Sequence, residues 1–298
     1  MNLIEIIQKN SINYKKIKEE NVFIIKNDNK NYDINFLIPV RNRTEFAMPM
    51  YESFESAKSN TNLKIAFTII EHSENPLHSK FCKTKNIDYI WLNSNGELFN
   101  KCLCYNMGVF FSQKAKSYIF HDLDCLIQSN FFKQLEENIK NQNNCKAIQC
   151  FTGRRVLYLN PELTNKVIKK EFEIDNLSIN LPEVDYPRLG GKIMIGAPGG
   201  SIYVERELFF EVGGYDPELF LANSPEDIFF WTKIDTINKM HISDNPPIEI
   251  YHMYHEPTWM QNPHIHQMEE IYNIFKKMSI EEKKEIIKLK SNLIHEYR

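Results

Sequence analysis

The chain has 298 residues, of which 42% are hydrophobic and 25% charged, enough to bury one large α/β core. A formal net charge of −3 provides no global basic field, so nucleic acid is not expected as a partner. Six cysteines without CxxC or Cys/His zinc spacing read as reduced thiols of a cytoplasmic protein, and no apolar run approaches the roughly 18 residues of a membrane span.

Residues 1–30 predict a charged amphipathic helix, then an extended piece; they lack the apolar stretch and cleavage site of a signal peptide. Asn35-Phe36-Leu37-Ile38-Pro39-Val40 reads as a buried strand that stops where the backbone turns. A helix is expected around 45–59, strands at 64–70 and 87–92, and a helix over about 101–114. The strand Ser117-Tyr118-Ile119-Phe120 then runs into His121-Asp122-Leu123-Asp124. These strands are continuously apolar rather than alternating, which fits a mostly parallel sheet covered by helices on both faces. Ligands of such sheets sit beyond the carboxyl ends of the strands. Arg41, Arg43, Asp122 and Asp124 all fall there.

The second half is less regular. Strands are expected at 192–195, after Gly190-Gly191, and at 202–204, after Gly199-Gly200-Ser201. A helix from about 205 ends at Gly213-Gly214, and Glu226-Asp227 opens another that runs to 239. Residues 248–255 read as a strand ending in His252-Met253-Tyr254-His255, and 264–298 as a charged amphipathic helix or helix pair. Such a tail docks on its own domain or makes peripheral contact with a membrane. Nothing separates two domains, so one domain is expected, with a core at about 33–262.

Asp122-Leu123-Asp124 carries the chemistry. Two carboxylates flanking one residue at a strand end can hold a hard divalent cation that also bridges phosphate oxygens. Alone, the same letters also describe a helix cap beside a solvated aspartate. Arg41 and Arg43, at another strand end, suit a diphosphate because guanidinium offers paired donors; alone, they also describe a surface turn. Glu226-Asp227 is equally what a helix dipole favours at its first turn, and His252 and His255 alone need bind no metal.

Together these segments resemble the β-1,4-galactosyltransferase family and its bacterial relatives. Pro39-Val40-Arg41-Asn42-Arg43 is similar to its P-F-R-N-R signature, and Leu98-Phe99-Asn100-Lys101 with Tyr105-Asn106-Met107-Gly108 to its F-N-R and N-V-G stretches. Phe120-His121-Asp122-Leu123-Asp124 resembles F-x-D-V-D, and Pro198-Gly199-Gly200-Ser201 with Glu211-Val212-Gly213-Gly214-Tyr215 resembles F-G-G-V-S and I-N-G-F. Glu226-Asp227 stands where the family has G-G-E-D-D, and His252-Met253-Tyr254-His255 resembles the late H-x-x-H of bacterial members. Order and spacing hold over about 35–260.

The resemblance implies a GT-A fold and an inverting transferase that moves a hexose or N-acetylhexosamine from a UDP-sugar to a glycan, lipid-linked glycan or glycoprotein. It implies Mn2+ or Mg2+ on Asp124 and His255, with His252 a second histidine ligand, and Asp122 at the ribose or a metal-bound water. It places Pro39, Arg41, Arg43, Phe99 and Lys101 at the uridine diphosphate, and Gly199 and Gly200 where backbone approaches the donor sugar. Asp227 would be the general base, and Glu226 would bind the acceptor or orient that base. The family's G-W-G-G run is replaced by Phe220-Leu221-Ala222-Asn223-Ser224-Pro225, which leaves the acceptor open, and Ala197 would leave room for an N-acetyl group on the donor. Other chemistries for these residues are nucleotidyl transfer, phosphoester hydrolysis by Asp122, Asp124, His252 and His255, and glycan binding without catalysis.

Overall fold

The apolar runs of the first half form strands buried on both faces. The computed structural model describes residues 2–24, 31–154, 156–187, 199–222, 224–256 and 262–298. Helices α1 (Leu3–Lys9) and α2 (Tyr14–Glu20) precede β1 (Val22–Ile24). An alternating series follows: β2 (Tyr32–Val40), α3 (Thr44–Ser59), β3 (Ile65–Ser73), α4 (Ser79–Lys85), β4 (Asp88–Asn93), α5 (Lys101–Phe111) and β5 (Ala115–His121). Next come β6 (Cys125–Ile127), α6 (Phe131–Asn141), β7 (Ala147–Gln149), β8 (Leu157–Tyr158) and α7 (Pro161–Ile168). The chain continues through β9 (Ser201–Glu205), α8 (Arg206–Glu211), α9 (Glu226–Ile237), β10 (His241–Ile242) and β11 (Ile250–His252), and ends in α10 (Ile265–Lys277) and α11 (Ile280–Ile294).

The main sheet has eight strands in the order β1-β4-β3-β2-β5-β9-β7-β10. Its centre, β4-β3-β2-β5, is parallel, while β1 and β9 join antiparallel. Side-chain alternation along β2 divides the core. Phe36 and Ile38 face a cluster with Phe46, Met50 and Phe54 of α3, whereas Leu37 faces one with Tyr105 and Met107 of α5. The α3 residues recur four apart, as a helix laid on a sheet requires. On the other face α5 comes very close: a Cβ at Gly108 would lie 3.0 Å from Ile70 and 3.2 Å from Leu37. A small second sheet, β6-β11-β8, forms beyond the end of β5 and pairs His252 with both Cys125 and Tyr158.

The ends of the chain belong to the core. Leu3, Ile7 and Tyr14 share a buried cluster with Met268, Phe275, Ile286 and Ile294. Lys290 of α11 is buried against Glu218 and Asp216, and Asp216 also takes Lys233 of α9 at 2.5 Å. Ser279 and Glu282 form a capping box that starts α11, so the tail is a helix pair.

Several expected elements differ. The single amphipathic helix at the start is two, because the Asn13 side chain accepts the Lys16 N–H at 3.0 Å and opens a new helix after α1 has closed at Asn10. The extended piece that follows enters the main sheet through β1. The strand expected at 248–255 is only three residues long. The helix from 101 ends at Phe111, where the Ser112 hydroxyl turns back onto the Gly108 carbonyl. Gly190, Gly191, the strand at 192–195, Ala197 and Pro198 lie outside the described residues.

Candidate active site

Beyond the carboxyl ends of β2 and β5 lies a cleft of about 600 Å³. Pro39, Arg41, Arg43, Phe99, Lys101, Asp122, Asp124, Gly199, Gly200, Glu226, Asp227, His252 and His255 all line it. Every site residue expected from the sequence is therefore brought to one place, and Arg43 and His255 meet there from 212 residues apart.

Local structure explains the placement. After β5, the Asp122 N–H donates to the Gly200 carbonyl at 3.0 Å, and the Met253 N–H donates to the Asp124 carbonyl at 2.8 Å. These bonds pin the Asp-Leu-Asp turn between β9 and the segment after β11. The β6-β11 register sets His252 opposite Cys125, one residue past Asp124. Its Nε2 then lies 3.5 Å from Asp124 Oδ1, and His255 Nε2 lies 3.1 Å from Asp124 Oδ2.

Both imidazoles are fixed by their other nitrogen. His252 Nδ1 is 2.6 Å from the Met253 carbonyl, and His255 Nδ1 is 2.7 Å from the Glu256 carbonyl. A carbonyl only accepts, so each Nδ1 carries a proton, and each Nε2 is the nitrogen that faces Asp124, donating to it when the ring is protonated and free to take a metal when the ring is neutral. This backbone anchoring is how metal-binding histidines are oriented. The three ligand atoms lie within 4.8 Å of one another, and the donor set of two imidazoles and one carboxylate suits Mn2+ or a similar divalent ion. Burial pushes the Asp124 carboxyl up, but His252, His255 and Arg43 outweigh it and hold the group well below the usual carboxylate range. Arg43 Nη1 donates directly to Asp124 Oδ2.

A second cluster sits on the other side of the Asp-Leu-Asp motif. Lys101 Nζ is 2.9 Å from Asp122, 2.9 Å from Asp227 and 3.6 Å from Glu226. Lys101, at the cleft where the diphosphate is expected, ties the metal motif to the carboxylates that open α9. Its ammonium is pushed down by burial but raised far more by Asp122, Asp227 and Glu226, so it stays charged. Burial raises Asp227, and Lys101 opposes the rise. Glu226 goes up to about 7, by burial first and then by Asp227, even though Ser224 N–H and Oγ donate to it at 3.0 and 2.9 Å. Gly199 leaves room for Asp227: a Cβ there would fall 1.9 Å from Asp227 Oδ2. Gly200 has φ +100°, a conformation other residues rarely adopt.

At the far end of the cleft, Arg41 donates to the Glu97 carbonyl at 2.7 Å. Phe99 lies beside His72, whose imidazole is pushed down to about 4 by burial and then by Arg41. Sequence reasoning gave no role to four neighbours of these groups. The Cys125 thiol is 3.7 Å from Asp124 Oδ1, the Tyr105 hydroxyl is 3.4 Å from Asp122 Oδ1, the Tyr158 ring packs 4.7 Å from His252, and Ser224 holds Glu226. Cys125 directly follows the motif and Tyr105 sits in a matched stretch, so both were open to sequence reasoning. Tyr158 is brought in only by β-pairing.

The sequence matches the family described as glycosyltransferase like family 2 over residues 35–273. No curated protein matches it. Among solved structures, the catalytic domain of Drosophila β1,4-galactosyltransferase 7, in complex with xylobiose, aligns with TM-score 0.50 at 13% identity, covering 81% of this chain and 79% of that one. S. aureus TarS 1–349 aligns with TM-score 0.51 at 12% identity over 89% and 72% of the two chains. GalNAc-T7 with UDP, GalNAc and Mn2+ aligns with TM-score 0.55 at 14% identity, over 89% of this chain and 55% of that one. At these identities the likeness establishes the GT-A fold and nothing finer.

Proposed function

This chain belongs to glycosyltransferase like family 2 and is a glycosyltransferase; from that premise we propose that it is an inverting, metal-dependent enzyme using a UDP-sugar. It transfers a hexose or N-acetylhexosamine to a hydroxyl of a glycan or glycoconjugate. The observation that carries this reading is the pairing, in one cleft, of the Asp124-His252-His255 set with the Lys101-Asp122-Asp227 cluster.

In this reading Asp124, His252 and His255 hold Mn2+ or Mg2+, which when bound neutralises charge gathering on the leaving diphosphate. Arg41, Phe99 and Pro39 receive the nucleotide, and Asp122 its ribose. Gly199 and Gly200 let backbone approach the donor sugar. Asp227 accepts the proton of the acceptor hydroxyl as its oxygen bonds to the anomeric carbon. The bond from that carbon to the diphosphate oxygen breaks, and its electron pair leaves with the diphosphate. Attack from the opposite face inverts the centre. Lys101 opposes the burial that raises Asp227 and so favours its carboxylate form, and Glu226 holds the acceptor or braces the base.

GalNAc-T7 was solved with UDP, GalNAc and Mn2+, which supports the choice of donor class and metal. The C-terminal helices turn their apolar faces onto their own domain, and no helix among the described residues is long and apolar enough to cross a membrane.

Calorimetric titration of UDP into wild type and Asp124→Asn, with Mn2+ or with EDTA, tests the reading. UDP binding that needs the metal and disappears in the variant is the expected result, and turnover of a UDP-sugar panel then identifies the donor. No UDP binding under any metal condition would overturn it. Metal-dependent cleavage of simple phosphoesters without nucleoside preference would favour the hydrolase instead.

A further inference from the structure

The resident contact on Asp124 is a cation. Arg43 Nη1 donates to Asp124 Oδ2, the same oxygen that His255 Nε2 approaches at 3.1 Å, and Nη2 lies 3.4 Å from the His255 ring. A divalent ion on Asp124, His252 and His255 needs this oxygen and would meet the guanidinium at close range. Two cations beside one buried carboxylate repel strongly, since little solvent screens them.

The backbone shows that Arg43 is built to stand here. Asn42 and Arg43 have φ of 60° and 53°, two successive left-handed residues between β2 and α3. Arg43 occupies the cap position of α3, where its donor-only guanidinium cannot accept a helix N–H, and it donates to Asp124. The contact is one-sided in burial: 29% of the Arg43 side chain is exposed, against 7% of Asp124. Arg43 can therefore move while Asp124 stays in place.

Resting on the donor-site reading above, we propose that Arg43 is an exchangeable counter-ion of the metal site. It neutralises Asp124 until a nucleoside diphosphate brings negative oxygens that can take the guanidinium, and the metal then takes Asp124. Metal and nucleotide binding are thereby coupled, and by linkage each must tighten the other by the same factor. An arginine that only held the diphosphate would give no resistance to metal alone. The exchange predicts resistance, because metal entering by itself must strip Asp124 from its guanidinium with nothing to receive it.

The test measures Mn2+ binding to the full chain, stripped with EDTA, by calorimetry and by loss of the free-ion spin-resonance signal, with and without UDP and with no sugar donor. Wild type is expected to bind Mn2+ weakly alone and about 10-fold tighter with UDP, within the usual range of coupling. Arg43→Gln should bind Mn2+ alone about 10-fold tighter than wild type, and the gain from UDP should shrink by a similar factor. Arg43→Lys keeps the charge and should restore part of the resistance, which separates charge competition from simple misplacement of Asp124. Equal or weaker Mn2+ binding by Arg43→Gln, with a wild-type melting curve, would overturn the exchange and leave the metal site standing. No Mn2+ binding by wild type, with or without UDP, would overturn the metal reading, and the exchange with it.

Discussion

Two buried charge clusters lie close together in this fold, and they are built differently. In one, Lys233 and Lys290 face Asp216 and Glu218, and no side chain of the four is more than 3% exposed. Two cations meet two anions away from the cleft. In the other, Lys101 alone faces Asp122, Glu226 and Asp227, and all four line the cleft. The balanced cluster joins α9, α11 and the 216–218 turn, which Asn100 also holds by donating to the Pro217 carbonyl at 3.1 Å. The unbalanced one leaves carboxylates short of positive charge where a substrate can enter. Burial of charge alone marks neither structure nor function; the imbalance, opened to a cleft, points to chemistry.

Mutation should separate the two clusters, and the largest effect belongs to the open one. Asp227→Asn should lower kcat/KM for sugar transfer by roughly 10²–10⁴-fold, the usual range for a lost general base. Thermal melting should shift little, because the change removes one of three carboxylates crowded around a single lysine. A loss of activity matched by loss of folded protein would erase the distinction between the clusters. The closed cluster should answer in the opposite way. Lys290→Met leaves Glu218 buried without its partner, which should cost about 3–5 kcal/mol in urea unfolding. The molecules that remain folded should turn over at the wild-type rate. Adding Glu218→Gln should recover part of the stability, a coupling that a double-mutant cycle reads directly.

The difference also explains what the sequence could reveal. The open cluster lies at the ends of apolar strands and at the first turn of a helix, so Asp122, Asp124 and Asp227 stand where local pattern makes them conspicuous. Continuous hydrophobicity along β2 and β3 likewise announced a parallel sheet. The closed cluster has no local signature: Lys290 is one of several lysines on an amphipathic tail, and only docking shows that it is buried. The β6-β11-β8 sheet escaped for the same reason. Its strands have two or three residues each, too short for a period, and long-range pairing makes them. His252 was therefore recognisable as a histidine near a motif, whereas its anchoring at Nδ1 and its packing on Tyr158 were not. Lys101 shows a different gap. Its place in the motif was legible, but its partners were not, because Asp227 reaches it from 126 residues away.

A smaller effect tests how closely the open cluster is fitted. In Gly199→Ala the new Cβ would overlap the Asp227 carboxylate, with its Oδ2 at 1.9 Å and Cγ at 2.6 Å. The side chain can swing aside, but it then leaves Lys101. The expected loss is on the order of 10-fold in kcat, with KM for the donor little changed, because the base and not the nucleotide pocket moves. A change confined to KM would mean that Gly199 serves the approach to the donor sugar and not the seating of Asp227.

The smallest effect concerns the proton on Glu226. Burial, then Asp227, raises this carboxyl from 4.5 to about 7. A carboxyl raised on folding binds its proton more tightly in the folded chain than in the unfolded one. The stabilisation it gives is full below about pH 4.5 and is lost as pH rises through about 7. Glu226→Gln has no proton to lose. Unfolding free energies of wild type and variant should therefore run parallel at acid pH and diverge between about pH 5 and pH 8, with the glutamine form the more stable at the alkaline end. Curves that stay parallel throughout would mean that Glu226 is already ionised beside Lys101. The open cluster would then hold all three of its negative charges at neutral pH, and its imbalance would be larger than the titration of Glu226 implies.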